Sequence, residues 1–314
     1  MRYPLIAAAT AAALVLTGCG ASDDTAEHKE VDGNVDGQLT VFATTGYIAD
    51  AVKNIAPSAE VITMVGPGGD PHTYQPTTKD IETMKDADLV IWNGLHLEAQ
   101  MIEQLESFGD KQLSVGDNLD EGDLLPWPEQ GPEGEKLYDP HVWNSPELWT
   151  DVVEQIGDKM GEVDEANADA YEKAADAYAE KIETAVDEAQ EILADAEPRI
   201  LITGHDAFNY FGRTFGFEVF ATDFVTTDAK LSPTQISELA DMIAEKKVPS
   251  IFQDNQANPQ AITALKEAVQ DRGWDVKVSD AELFADTLGA ESPMDTYLGA
   301  LRHNAETVAK ALAK

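Results

Sequence analysis

Cysteine is almost missing: one, Cys19, stands in a chain of 314 residues. A lone thiol makes no internal disulfide, so a scaffold stapled by disulfides is excluded. Basic residues are also scarce. Lys and Arg number 21 against 59 Asp and Glu, a formal net charge of −38, and such a surplus repels phosphate backbones, which excludes nucleic acid as a partner. The acidity is spread along the whole chain and reads as a solvated surface, so no site is drawn from charge alone. Long apolar runs are missing as well. The stretch from Leu5 to Leu16 has about a dozen residues, short of the roughly 20 that cross a bilayer as a helix.

That short apolar stretch follows Arg2 and leads into Thr17-Gly18-Cys19, the pattern of an export signal over residues 1–18. Leu16-Thr17-Gly18-Cys19 also fits the bacterial lipobox, in which small residues admit the peptidase and Cys19 carries the lipid. The expected location is therefore extracytoplasmic, held to the cell membrane by acyl chains on Cys19. Residues 19–37 are polar and acidic with no apolar period, and read as a flexible tether.

From residue 38 the pattern changes to short apolar runs alternating with helical stretches. Strands are expected near Leu39–Ala43, Glu60–Val65 and Leu89–Trp92, then again near Arg199–Thr203, Glu218–Ala221, Ser250–Gln253 and Val276–Val278. Such alternation predicts parallel βαβ units and two α/β lobes, over 38–163 and 198–314. Between them, 164–197 lacks both Gly and Pro, and Pro198 marks its end. Tyr171, Ala175, Tyr178, Ile182, Ala185, Ala189 and Ile192 fall on one helical face. The segment predicts one long rigid helix of roughly 46 Å joining the lobes, which limits closure on a ligand to a small movement.

Three of the six histidines sit in stiff or strand-terminal loops. His72 closes Gly68-Gly69-Asp70-Pro71-His72, where proline restricts both itself and Asp70. His141 repeats the Asp-Pro-His arrangement in Tyr138-Asp139-Pro140-His141-Val142-Trp143, after a Pro/Gly-rich loop. His205 follows an expected strand in Thr203-Gly204-His205-Asp206. In parallel α/β sheets ligands gather at the carboxyl ends of strands. Neutral imidazoles are borderline-soft donors, and zinc takes four ligands. A fourth donor is needed. Asp286, after the last expected strand, is the first among several carboxylates. The histidine separations form no compact metal signature. His28 lies in the tether, His96 reads as structural, and His303 falls on a C-terminal helix from Met294 to Ala313. Trp92, Trp143 and Trp149 read as core.

Taken together, Gly69-Asp70-Pro71-His72-Thr73-Tyr74-Gln75-Pro76-Thr77, Asn93-Gly94-Leu95-His96-Leu97-Glu98, Asp139-Pro140-His141-Val142-Trp143 and His205-Asp206-Ala207-Phe208-Asn209-Tyr210-Phe211 resemble the zinc- and manganese-binding lipoproteins of bacterial ABC importers. The resemblance covers nearly all of residues 38–314. It implies two α/β lobes joined by a backbone helix, with one metal ion in the cleft between them. It also implies His72, His141, His205 and Asp286 as the ligand set. Asp254, in Phe252-Gln253-Asp254, stands where the family usually has glutamate, and is expected behind the ligands. The implied cargo is one Zn2+ or Mn2+, passed to an ABC permease and its ATPase by a monomer. Leu124–Tyr138 lacks the histidines that zinc members often carry there, whereas many manganese members have glutamate where this chain has His205. The third imidazole favours zinc, since manganese stands at the weak end of the affinity order. Two rival readings are a secreted zinc hydrolase, for which no general-base motif is present, and a binder of siderophore or haem chelates, which leaves the histidines unexplained.

Overall fold

The computed structural model describes residues 38–313 apart from 132, 133, 135, 226–230 and 257. In its N-terminal part β1 (Thr40–Ala43), α1 (Gly46–Ile55), β2 (Glu60–Thr63), α2 (Thr78–Asp86), β3 (Leu89–Trp92), α3 (Ile102–Glu106) and β4 (Gln112–Ser114) follow one another. The four strands form a parallel sheet in the order β2-β1-β3-β4. Val41, Ala43, Leu89 and Ile91 enter one core while Phe42, Val90 and Trp92 enter another. This period-two alternation between two covered faces explains why the strands read as unbroken apolar runs. Side-chain caps set the helix starts: Thr45 accepts from the Ile48 N–H, and Thr77 and Asp80 form a reciprocal capping box.

An antiparallel hairpin, β5 (Pro126–Gln130) and β6 (Lys136–Tyr138), occupies the segment read as a Pro/Gly-rich loop. Next come α4 (Pro146–Val163), capped by Ser145 with Pro146 in its first turn, and α5 (Ala168–Ile192). These two helices run antiparallel in close approach. A Cβ on Gly157 would lie 2.9 Å from that of Ala175, and one on Gly161 would lie 3.1 Å from that of Ala168. With 25 residues α5 is about 37 Å long, shorter than the span 164–197 at both ends. The cause at its start is a polar turn: the Asp164 carboxylate accepts from Asn167 Nδ2 at 2.7 Å and from the Tyr171 hydroxyl at 2.8 Å. Tyr171, Ala175, Tyr178, Ile182 and Ala189 are its buried face, on the stripe read from the sequence.

The C-terminal part contains β7 (Ile200–Thr203), α6 (Asn209–Phe215), β8 (Glu218–Ala221), α7 (Pro233–Lys246), β9 (Ser250–Ile251), α8 (Pro259–Gln270), β10 (Lys277–Val278) and α9 (Tyr297–Leu312). β7 pairs with β8 and β9 with β10, both parallel. The Phe252 N–H donates to the Ile202 carbonyl at 2.7 Å and joins the pairs. The fold is thus two α/β lobes with parallel sheets and a long helix. One hydrophobic core runs through both, with Ile48, Trp149, Tyr178, Phe211, Leu283 and Val308 among its members.

Residues 1–18, the tether 19–37, Cys19 and His28 lie outside the described residues. No helix among the described residues is long and apolar enough to cross a membrane.

Candidate metal centre

His72 and His141 stand on turns of the same kind. In each Asp-Pro-His segment the aspartate Oδ1 accepts from the histidine's backbone N–H, at 2.9 Å for Asp70 and 3.0 Å for Asp139, an Asx turn stiffened by the intervening proline. His205 sits just past the carboxyl end of β7. There Asp254 Oδ2 accepts from the Gly204 and His205 N–H groups, both at 2.9 Å. Asp286 arrives on the loop after β10.

These four side chains converge, although they are far apart in sequence. Among the described residues they form the one group of potential ligands whose donor atoms all lie within 4.8 Å of one another. His141 Nε2 lies 3.2 Å from His72 Nε2 and 3.1 Å from His205 Nε2. The Asp286 oxygens lie 3.4 Å from the Nε2 atoms of His72 and His141 and 3.3 Å from that of His205. A tetrahedron around zinc with nitrogens at 2.0–2.1 Å has edges of roughly 3.3 Å, so these separations fit a single ion. Asp286 Oδ1 faces His141 while Oδ2 faces His72 and His205. The carboxylate can therefore bind through one oxygen or both.

His141, His205 and Asp286 are fully buried and His72 is 4 % exposed. Both Asp286 oxygens lack a hydrogen-bond partner among the described residues. A buried carboxylate without donors is costly unless a cation neutralises it. Burial would raise the Asp286 pKa, but the three imidazoles, His205 foremost, outweigh that and hold it well below the usual carboxylate range. Burial lowers that of His72. For His205 burial also opposes the charge, yet Asp286 prevails and the value rises.

The three imidazoles are not equivalent. His141 Nδ1 lies 2.6 Å from Asp139 Oδ1, whereas the Nδ1 atoms of His72 and His205 are buried without a partner among the described residues. Burial pulls the His141 pKa down, but Asp139 on one side and Asp286 on the other push it up to about 10. A carboxylate on the far nitrogen fixes the tautomer and leaves Nε2 directed at the other three donors. Sequence reading missed Asp139 in this role, although the repeated Asp-Pro-His was its signal.

Asp254 is not among the converging donors. It is 3 % exposed, burial pushes its pKa up to about 6, and it holds the backbone of the His205 loop. His96 also stands apart, with a left-handed φ of 65°. His303 Nε2 lies 2.9 Å from the Glu282 carbonyl oxygen, and the ring packs 5.0 Å from Phe284. Trp92 and Trp149 are core residues, while Trp143 sets its ring edge-on to His141 at 5.3 Å.

Comparison with known proteins gives a consistent picture. A family model described as zinc-uptake complex component A, periplasmic, matches residues 41–311. The manganese-binding lipoprotein MntA of Bacillus subtilis is 34 % identical over 318 residues, 99 % of this chain and 100 % of that protein. The zinc-binding protein TroA of Treponema pallidum is 36 % identical over 288 residues, covering 90 % and 92 %. The solved structure of the periplasmic zinc-binding TroA of that organism superimposes with a TM-score of 0.81 at 34 % identity, over 88 % of this chain and all of that one.

Proposed function

Since the chain belongs to the zinc-uptake component A family of metal-binding proteins of ABC importers, we propose that it captures one divalent transition-metal ion, zinc in preference to manganese, on His72, His141, His205 and Asp286. The ion is cargo for an importer's permease and its ATPase. The members of this family are binding proteins, not enzymes. The observation that carries the ligand assignment is the convergence of three imidazole Nε2 atoms on a buried carboxylate with no other partner among the described residues.

The preference for zinc has two supports. A third imidazole adds a borderline-soft donor, and the donor spacing suits a tetrahedron. Relatives are named for either metal, so kinship alone does not decide it. Asp254 acts behind His205 by fixing its loop. Export and lipid attachment at Cys19, with 19–37 as the tether, follow from the leader pattern, and relatives such as MntA carry lipoprotein names. The N-terminal lobe is assigned to 38–163, the linking segment to 164–197 and the C-terminal lobe to 198–314.

The test is elemental analysis of protein purified without added metal, followed by competition between zinc and manganese. One ion per chain, with zinc displacing manganese, is the expected result. Manganese outcompeting zinc would remove the zinc preference. Unaltered binding by both His141→Ala and Asp286→Ala would remove the ligand set.

A further inference from the structure

Asp286 is flanked by two residues that are gripped more tightly than it is. The carbonyl of Ala285 accepts from Trp143 Nε1 at 2.8 Å and from the Tyr47 hydroxyl at 3.0 Å. The Ala285 N–H donates to Asn255 Oδ1 at 2.9 Å, and Asn255 Nδ2 donates to the carbonyl and the hydroxyl of Thr287, each at 2.7 Å. That hydroxyl also accepts from the Gly68 N–H at 3.2 Å. Asn255 belongs to the same half of the chain as Asp286. Tyr47, Gly68 and Trp143 belong to the other half, the one that carries His72 and His141.

The aromatic pair has a defined geometry. Tyr47 and Trp143 stack with centroids 5.0 Å apart at 16°, and Trp143 also meets the His141 ring. Tyr47, Trp143 and Ala285 are each at most 2 % exposed. Separating the halves would strand the Ala285 carbonyl without either donor, and a buried unpaired acceptor is costly. It would also carry Asp286 away from the nitrogens.

We propose that Tyr47 and Trp143 are positioning residues that couple coordination by Asp286 to the seating of the two halves, so that their O–H and N–H donors govern how fast the ion leaves. The inference rests on the reading of Asp286 as a ligand. His72 and His141 lie on one half and meet an arriving ion without these bonds. Capture is therefore insensitive to them, whereas release must break them.

The experiment uses the full chain in four forms: wild type, Tyr47→Phe, Asp286→Ala and the double variant. Tyr47→Phe keeps the ring stacked on Trp143 and removes one donor, so the fold is preserved. Zinc release is followed by stopped-flow transfer to an excess chelator, and association by mixing with free zinc. Tyr47→Phe is expected to speed release by about three- to tenfold, the worth of one hydrogen bond, with association unchanged. In the Asp286→Ala background the same change should alter release by less than about twofold, because the coupled ligand is gone. Equal effects in both backgrounds, no effect in either, or an effect confined to association would overturn the proposal while leaving the ligand set standing. If Asp286→Ala binds zinc as tightly as wild type, the ligand reading fails first and the coupling with it.

Discussion

Raising the pH from about 7.5 to about 9 is expected to strengthen zinc binding, in a range where ordinary histidines have stopped titrating. A free imidazole with a pKa near 6.5 is already about nine-tenths neutral at pH 7.5, so three such ligands would give an almost flat affinity above it. His141 differs because it lies between Asp139, 2.6 Å from Nδ1, and Asp286, 3.4 Å from Nε2, and is pushed up to about 10. In the metal-free protein it keeps its proton throughout this range. An ion must displace that proton, since Nε2 cannot hold both. The sign follows directly. Fewer protons at higher pH favour the ion, by at least about tenfold in apparent affinity per pH unit below the raised pKa and at least roughly thirtyfold over this range. Calorimetry at pH 8 in two buffers of different ionisation enthalpy should count at least one proton released per zinc, since the His205 value is raised as well. Competition with a chelator of known pH dependence should return the slope. Asp139→Asn removes one flanking carboxylate, so its proton release should shrink and its pH dependence should move to lower pH. A flat affinity between pH 7.5 and 9 with no proton released would refute the reasoning.

Two further outcomes concern stability of the metal-free protein. Glu98 is buried, accepts from Thr44 Oγ1 at 2.6 Å and from the Asn93 N–H at 2.8 Å, and burial pushes it up to about 7. A raised folded-state pKa means that its stabilising share is full below the unfolded value near 4.3 and is lost as pH rises through about 7. Relative to Glu98→Gln, which cannot titrate, wild type should lose about 2 kcal/mol of unfolding free energy between pH 5 and pH 8; denaturant titrations that run parallel at both pH values would contradict this. At Gly299 an added Cβ would fall 1.8 Å from the Pro293 carbonyl oxygen. Gly299→Ala should therefore cost about 1–3 kcal/mol, a drop of several degrees in Tm by calorimetry, and an unchanged Tm would show that the first turn of α9 moves aside freely.

Much of this architecture was legible because its signals are local. Apolar runs such as Leu89–Trp92 and Glu218–Ala221 became strands with the bounds read from the sequence, and the stripe from Tyr171 to Ala189 became the buried face of α5. Features that depend on distant partners were hidden. The break between α4 and α5 contains neither Gly nor Pro, and is made by bonds to Asp164. The β5–β6 hairpin lies in a stretch whose Pro and Gly read as loop. β9 and β10 are two residues each and take their order from neighbours. Within the site, the Asp-Pro-His turns announced His72 and His141, since proline and aspartate act within three residues. Asp286 is one of 59 acidic residues, and spacing alone ranked it first among several. What singles it out is three-dimensional: its burial against three imidazoles.

The scattering of the four donors along the chain also governs when the site can exist. A polypeptide being synthesised from its N-terminus reaches His72 and His141 in its first half, but Asp286 only near the end of its 314 residues. No fragment that stops short of the loop after β10 contains the whole donor set. With the proposed ligand set, an ion has no complete nest to nucleate around in a growing chain, and loading must wait for a finished fold.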